Sequence, residues 1–97
     1  MIIRVVTYHA LPGTDAEGWA RGIAAEVRGT PGLRHIDFFR SHSDPTQYGS
    51  VMHFTTKADL DAYKTTGTYQ QIVKSLQESW LDTSKPVSEQ VFEILDI

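Results

Sequence analysis

At 97 residues, with a net charge of −3 and no cysteine, the chain reads as a single domain (1–97) without disulfides, thiolate chemistry or sulfur-bound metal. Its apolar share of 40% and charged share of 22% are those of an ordinary soluble globule, and its Lys and Arg are too scattered to follow a phosphate backbone, which excludes nucleic acid as a partner. Met1 to Val6 is too short an apolar run for a leader or a span, so no membrane partner is expected and a cytoplasmic location is the default.

Ile2 to Leu11 predicts a strand, because Ile, Val, Thr and Tyr dominate it and no Gly or Pro interrupts. Both of its faces are largely apolar, so both are expected to be covered. Pro12-Gly13 ends the strand, and Thr14 with Glu17 predicts a capping box. The helix that follows carries Trp19, Ile23 and Val27 at four-residue spacing, with Ala16, Ala20 and Ala24 beside them. Gly29 to Gly32 stops it. Leu33 to Ser41 alternates again, Leu33, His35, Asp37 and Phe39 against Arg34, Ile36, Phe38 and Arg40. Ser41 to Tyr48 is turn chemistry, short enough for a hairpin into the strand around Val51 to Thr55.

That strand runs directly into a helix. Thr56 and Asp59 predict its cap, and Ala58, Leu60 and Ala62 suit its interior. Thr65 to Thr68 breaks it, after which Tyr69, Ile72, Val73, Leu76 and Trp80 repeat at helical spacing. Asp82 to Ser88 reads as a polar linker and Val91 to Ile97 as a last short strand. Two β-α-β halves with right-handed crossovers predict an α+β fold, the ferredoxin-like βαββαβ plait: a four-stranded antiparallel sheet with its helices on one face.

Alternation assigns Val6, Tyr8, Ile36, Phe38, Met52, Phe54, Phe92 and Ile94 to the helix side. It assigns Ile3, Val5, Thr7, His9, His35, Asp37, Phe39, Val51, His53, Thr55, Val91, Glu93 and Leu95 to the other. The second set holds too many large apolar groups to face water, so a homodimer is expected, with Val5, Thr7, His9, His35, Phe39, Val51 and His53 at its interface. None of the histidines sits at a metal-ligand spacing, so no metal is expected and hydrogen-bonded imidazoles are the ordinary alternative. Between sheet and helices, Arg4, Tyr8, Phe54, Tyr63 and Trp80 predict a pocket for a small, flat, partly anionic aromatic ligand, held by stacking and charge-assisted hydrogen bonds. Core packing is the competing role for each aromatic. No Ser-His-acid set or paired carboxylates support a hydrolase.

Pro31-Gly32-Leu33 before the second strand, and Phe54-Thr55-Thr56-Lys57-Ala58-Asp59-Leu60 after the third, resemble the dimeric α/β-barrel superfamily. The resemblance covers nearly the whole chain and is most similar to the antibiotic-biosynthesis-monooxygenase-type domain; the stress-responsive branch shares the layout. It implies a cofactor-independent monooxygenase acting on aromatic or polyphenolic small molecules, with no bound cofactor, or a ligand-binding or stress-responsive module without catalysis. It also disfavours haem. The positions that carry Asn, Trp and the axial His in the haem-degrading branch correspond here to Val6, Phe54 and Val73, and Val73 has no atom to ligate iron.

Overall fold

β1 (Ile2–His9) lies in the middle of the molecule, hydrogen-bonded on both sides, in a computed structural model that describes residues 1–97. The remaining elements are α1 (Ala16–Arg28), β2 (Leu33–Arg40), β3 (Gln47–Phe54), α2 (Lys57–Lys64), α3 (Gly67–Ser79) and β4 (Ser88–Glu93). All strand pairs are antiparallel in the order β2-β3-β1-β4, the ferredoxin-like arrangement with an extra break in its second helix.

Residues paired directly across antiparallel strands point to the same side. The helix-side rows are therefore Ile2 with Phe54, Arg4 with Met52 and Ile36, Val6 with Ser50 and Phe38, and Tyr8 with Tyr48 and Arg40. These agree with the alternation of β1 to β3, save at Leu33. A register shift between Leu33 and His35 turns Leu33 toward the helices, where it packs on the core.

β4 departs from expectation in both extent and phase. It starts at Ser88 and stops at Glu93, leaving Ile94 to Ile97 outside the strand. Glu89 pairs with Val6 and Val91 with Arg4, so Glu89, Val91 and Glu93 share the helix side while Gln90 and Phe92 look the other way. The assignment of Phe92 to the helices, and of Val91 and Glu93 to the open face, is thus reversed. The cause is electrostatic: Arg4 is 5% exposed, and a buried guanidinium needs a carboxylate beside it.

The helix ends show the same contest between local signals. Asp15, not Thr14, caps α1 by accepting from Gly18 N at 2.9 Å, while Thr14 Oγ1 donates back to Leu11 O at 2.6 Å. A carboxylate one residue closer to the helix displaces the expected Thr14–Glu17 box. Thr56 caps α2 as predicted, accepting from Asp59 N at 3.1 Å. Thr66 does the same for α3 through Tyr69 N, so the break after Lys64 is itself a helix start. Gly32 (φ +79°) turns the chain into β2, and a Cβ there would meet the Asp59 side chain at 2.3 Å.

Two apolar clusters fill the space under the helices. Val27, Ile36, Met52, Phe54, Leu60 and Tyr63 form one; Ala10, Ala16, Leu76, Trp80 and Leu81 form the other. The opposite sheet face has no helix. Val5, Thr7, His9, Val51, His53 and Phe39 are half-buried there, and His35 and Asp37 are exposed. Phe92 joins them beside Ile3, 45% exposed.

Candidate functional site

Arg4 is the centre of the covered face. Its Nε and Nη2 donate to Glu89 Oε2 at 3.0 and 2.8 Å, and Nη1 points at Met52 Sδ, 3.6 Å away. Its Cζ lies 5.7 Å from the centroid of the Tyr69 ring, within cation–π range. Lys64 of α2 donates to the other oxygen of Glu89. Burial pushes the Glu89 carboxyl up, but hydrogen bonds from Lys64 and Arg4 outweigh it and hold the group below its ordinary value. The central strand, the edge strand and α2 therefore meet at one carboxylate.

Aromatic rings surround this cluster. Tyr63 meets Tyr69 edge-on at 5.1 Å, and Trp80 makes edge contacts with Trp19, Tyr8 and Tyr48 at 5.4, 5.7 and 6.2 Å. Trp19 Nε1 donates to Ser75 Oγ at 2.8 Å, joining α1 to α3. Between the two aromatic groups lies a cavity of about 150 Å³. That is close to the volume known to admit one benzene ring, and below the roughly 300 Å³ at which drug-sized sites begin.

Arg4, Tyr8, Tyr63 and Trp80 all line this cavity, as does Val73, whose isopropyl group offers no ligand atom to a haem iron. Phe54 does not line it: it is fully buried, with its ring 5.8 Å from that of Tyr63. Trp19, Tyr48, Ser50, Met52 and Tyr69 line it without having been singled out as site residues. Glu89 was also missed, although a lone Arg in the middle of an apolar strand signals a carboxylate somewhere opposite. Arg4 lines the cavity as a cation whose charge Glu89 already matches.

Burial pushes the Tyr63 phenol up to about 12. It also raises Tyr8, against the pull of Arg4. Both hydroxyls are thus protonated at neutral pH and act as hydrogen-bond donors rather than bases. No histidine lines the cavity. On the open face, His9 Nδ1 stands 3.7 Å from Asp44 Oδ2, too far for a hydrogen bond, and His35 Nε2 meets Asp37 Oδ2 at 2.9 Å. Nowhere do three His, Cys, Asp or Glu side chains gather to hold a metal ion. No helix is long and apolar enough to cross a membrane.

The sequence profile of the antibiotic biosynthesis monooxygenase family matches residues 1–75. The chain belongs to this family. Solved structures share the fold over nearly the whole chain. One bearing the family's name is 15% identical, covering 98% of this chain and 99% of its own, with a TM-score of 0.78. A Nitrosomonas europaea protein named for the same family is 21% identical over 98% and 99% of the two chains (TM-score 0.77). A conserved protein from Methanosarcina mazei is 18% identical over 95% and 91% (TM-score 0.79). At such identities the likeness is one of fold. Among curated proteins, none matches the chain.

Proposed function

We propose that this protein is a homodimer in which each chain binds a single-ring phenol or quinol between sheet and helices and oxidises it with molecular oxygen, without a bound cofactor. The observation that carries this reading is the cavity of about 150 Å³, apolar over most of its wall, with phenol hydroxyls and a buried guanidinium at its inner end. An aromatic ring fits its size, and a developing phenolate would find donors in Tyr8, Tyr63 and the N–H groups of Arg4 that Glu89 leaves unused. The reaction balances as phenol plus O₂ giving quinone plus water, and as quinol plus O₂ giving hydroxyquinone plus water. The ring gives up four electrons; one oxygen atom enters the product and the other leaves as water.

One observation favours a second reading, binding without turnover. Arg4 is already matched by Glu89, and the tyrosines are held protonated, so no side chain deep in the cavity is poised to take a proton. Oxygen-electrode measurements with phenol, hydroquinone and 1-naphthol, paired with titrations of tryptophan fluorescence, separate the two. Oxygen uptake with quinone formation is the expected result, with the larger naphthol excluded or weak. Saturable binding with no oxygen uptake establishes the binding module instead. If none of the three compounds binds, the aromatic reading of the cavity fails.

The dimer is proposed from the open sheet face. Ile3, Val5, Val51, Phe39 and Phe92 form an apolar patch there that no element of the chain covers. Light scattering at micromolar concentration should give twice the 10.9 kDa of one chain, and the single-chain mass would overturn the proposal.

A further inference from the structure

The cavity's wall is uneven in a way that bears on what enters it. Of its lining residues only Glu17 and Arg40 are exposed, which places the opening between the first turn of α1 and the end of β2. Glu17 is tied to Arg21 at 3.2 Å. Arg40 enters no ion pair. Ser50, 8% exposed as a residue, also lines the cavity, and its hydroxyl, which is not among the buried atoms left without a partner, is open to a ligand there. Ser50 pairs with Phe38 and Tyr48 with Arg40, so Ser50 and Arg40 are diagonal neighbours on the pleat, with backbones roughly 7–8 Å apart. A cation at the mouth and an accessible hydroxyl thus flank the way in.

We propose that the ligand is a single-ring hydroxy-aromatic acid whose carboxylate is held at the mouth by Arg40 and Ser50 and whose ring lies inside. This rests on the reading of the cavity as an aromatic site. The polarity of the two ends fixes the ligand's direction. At the inner end Arg4 is already paired with Glu89, so a second carboxylate there would face a like charge across a shared guanidinium. A neutral hydroxyl at that end instead meets the protonated Tyr63 phenol. At the mouth, the planar guanidinium of Arg40 can offer two parallel N–H donors to one carboxylate, and Ser50 a third hydrogen bond. One unpaired cation suits a single negative charge rather than a doubly charged phosphate.

The test compares 4-hydroxybenzoate with its neutral counterpart 4-hydroxybenzamide, with phenol as the reference for ring binding. Binding is followed by the fluorescence of Trp19 and Trp80, both on the cavity wall. In the wild type the acid should bind at least fivefold more tightly than the amide. Arg40→Gln should bring the acid-to-amide ratio near one, and Ser50→Ala should reduce it by a smaller factor. Arg40 is exposed, so its replacement leaves the core intact. Equal affinity for acid and amide in the wild type, or a preference that survives Arg40→Gln, overturns the proposal. Phenol binding with the acid excluded overturns it too, while sparing the aromatic reading. Absence of binding by all three compounds removes both.

Discussion

Arg4 and His35 stand on opposite faces of one sheet, each beside a carboxylate, and burial makes their pairings different in kind. The Arg4 side chain is 6% exposed, and its pairing with Glu89 links β1 to the edge strand and, through Lys64, to α2. His35 and Asp37 meet at a similar distance, 2.9 Å, but are 58% and 70% exposed, so water serves either of them nearly as well as the other does. On the covered face a charge dictates the strand phase around it. On the open face the polar groups leave the backbone as the apolar alternation places it.

That contrast can be broken at several points. The largest effect is expected at Phe54→Ala, which empties the heart of the covered face and should cost about 3–5 kcal/mol in urea unfolding. Val51→Ala, on the half-buried open face, should cost well under half as much when the unfolding of the single chain is measured. Equal losses would mean that both faces are packed alike.

Next comes Val51→Asp. If the open face is the dimer contact, an uncompensated carboxylate there should weaken association by about 3 kcal/mol, roughly a hundredfold, in sedimentation equilibrium. Unchanged association would move the contact elsewhere.

A smaller effect is expected at Glu89→Gln. It strands the Arg4 charge, but Glu89 is one-third exposed and water replaces part of what is lost, so the loss should be about 1–2 kcal/mol. The double variant Arg4→Met/Glu89→Gln should recover most of that stability, because an apolar side chain of similar length needs no counter-charge. A double variant no better than Glu89→Gln alone would mean that Arg4 matters for its packing rather than its charge.

The smallest effects are those of pH. The Tyr63 phenol is raised from 10 to about 12 in the folded chain, so the unfolded chain loses its proton first. Stability is full below pH 10 and should fall as pH rises from 10 toward 12, a fall that Tyr63→Phe should lessen. Glu89 works in the other direction. Its folded value is lowered, so the stability it contributes is present above its ordinary 4.5 and is lost as pH falls through the folded value. Glu89→Gln should flatten that acid limb in a pH series of urea midpoints.

The fold was legible wherever a local pattern had only one reading. Apart from Leu33, which a register shift turns over, the faces of β1 to β3 follow from parity alone, and the Thr56 cap is announced by Asp59 three residues on. β4 was not legible in the same way. Its region contains the apolar doublets Val91-Phe92 and Ile94-Leu95, which serve either phase equally well, and the choice is made by an ion pair between residues 85 positions apart. The α1 cap was ambiguous because Thr14 and Asp15 are both good N-caps. Four of the pocket's predicted residues line one cavity because they share the helix side of β1 or the inward stripe of a helix. Phe54 shares that side too, but Tyr63 packs against it and keeps it out of the lining. Ser50 gave no signal, since nothing in a sequence tells which serine on a strand will line a cavity.

The ion pair between β1 and the last strand also bears on how the chain comes into being on the ribosome. Arg4 is made early and its counter-charge 85 residues later. At about 5–20 residues per second, that leaves roughly 4–17 seconds in which the nascent chain holds a strand with an unanswered guanidinium. During that interval α1, β2 and β3 can assemble around β1, but docking the helices over Arg4 would bury a lone charge. The final closure of the helical layer therefore waits until Glu89 has been made, and the least buried strand of the fold is the one that permits it.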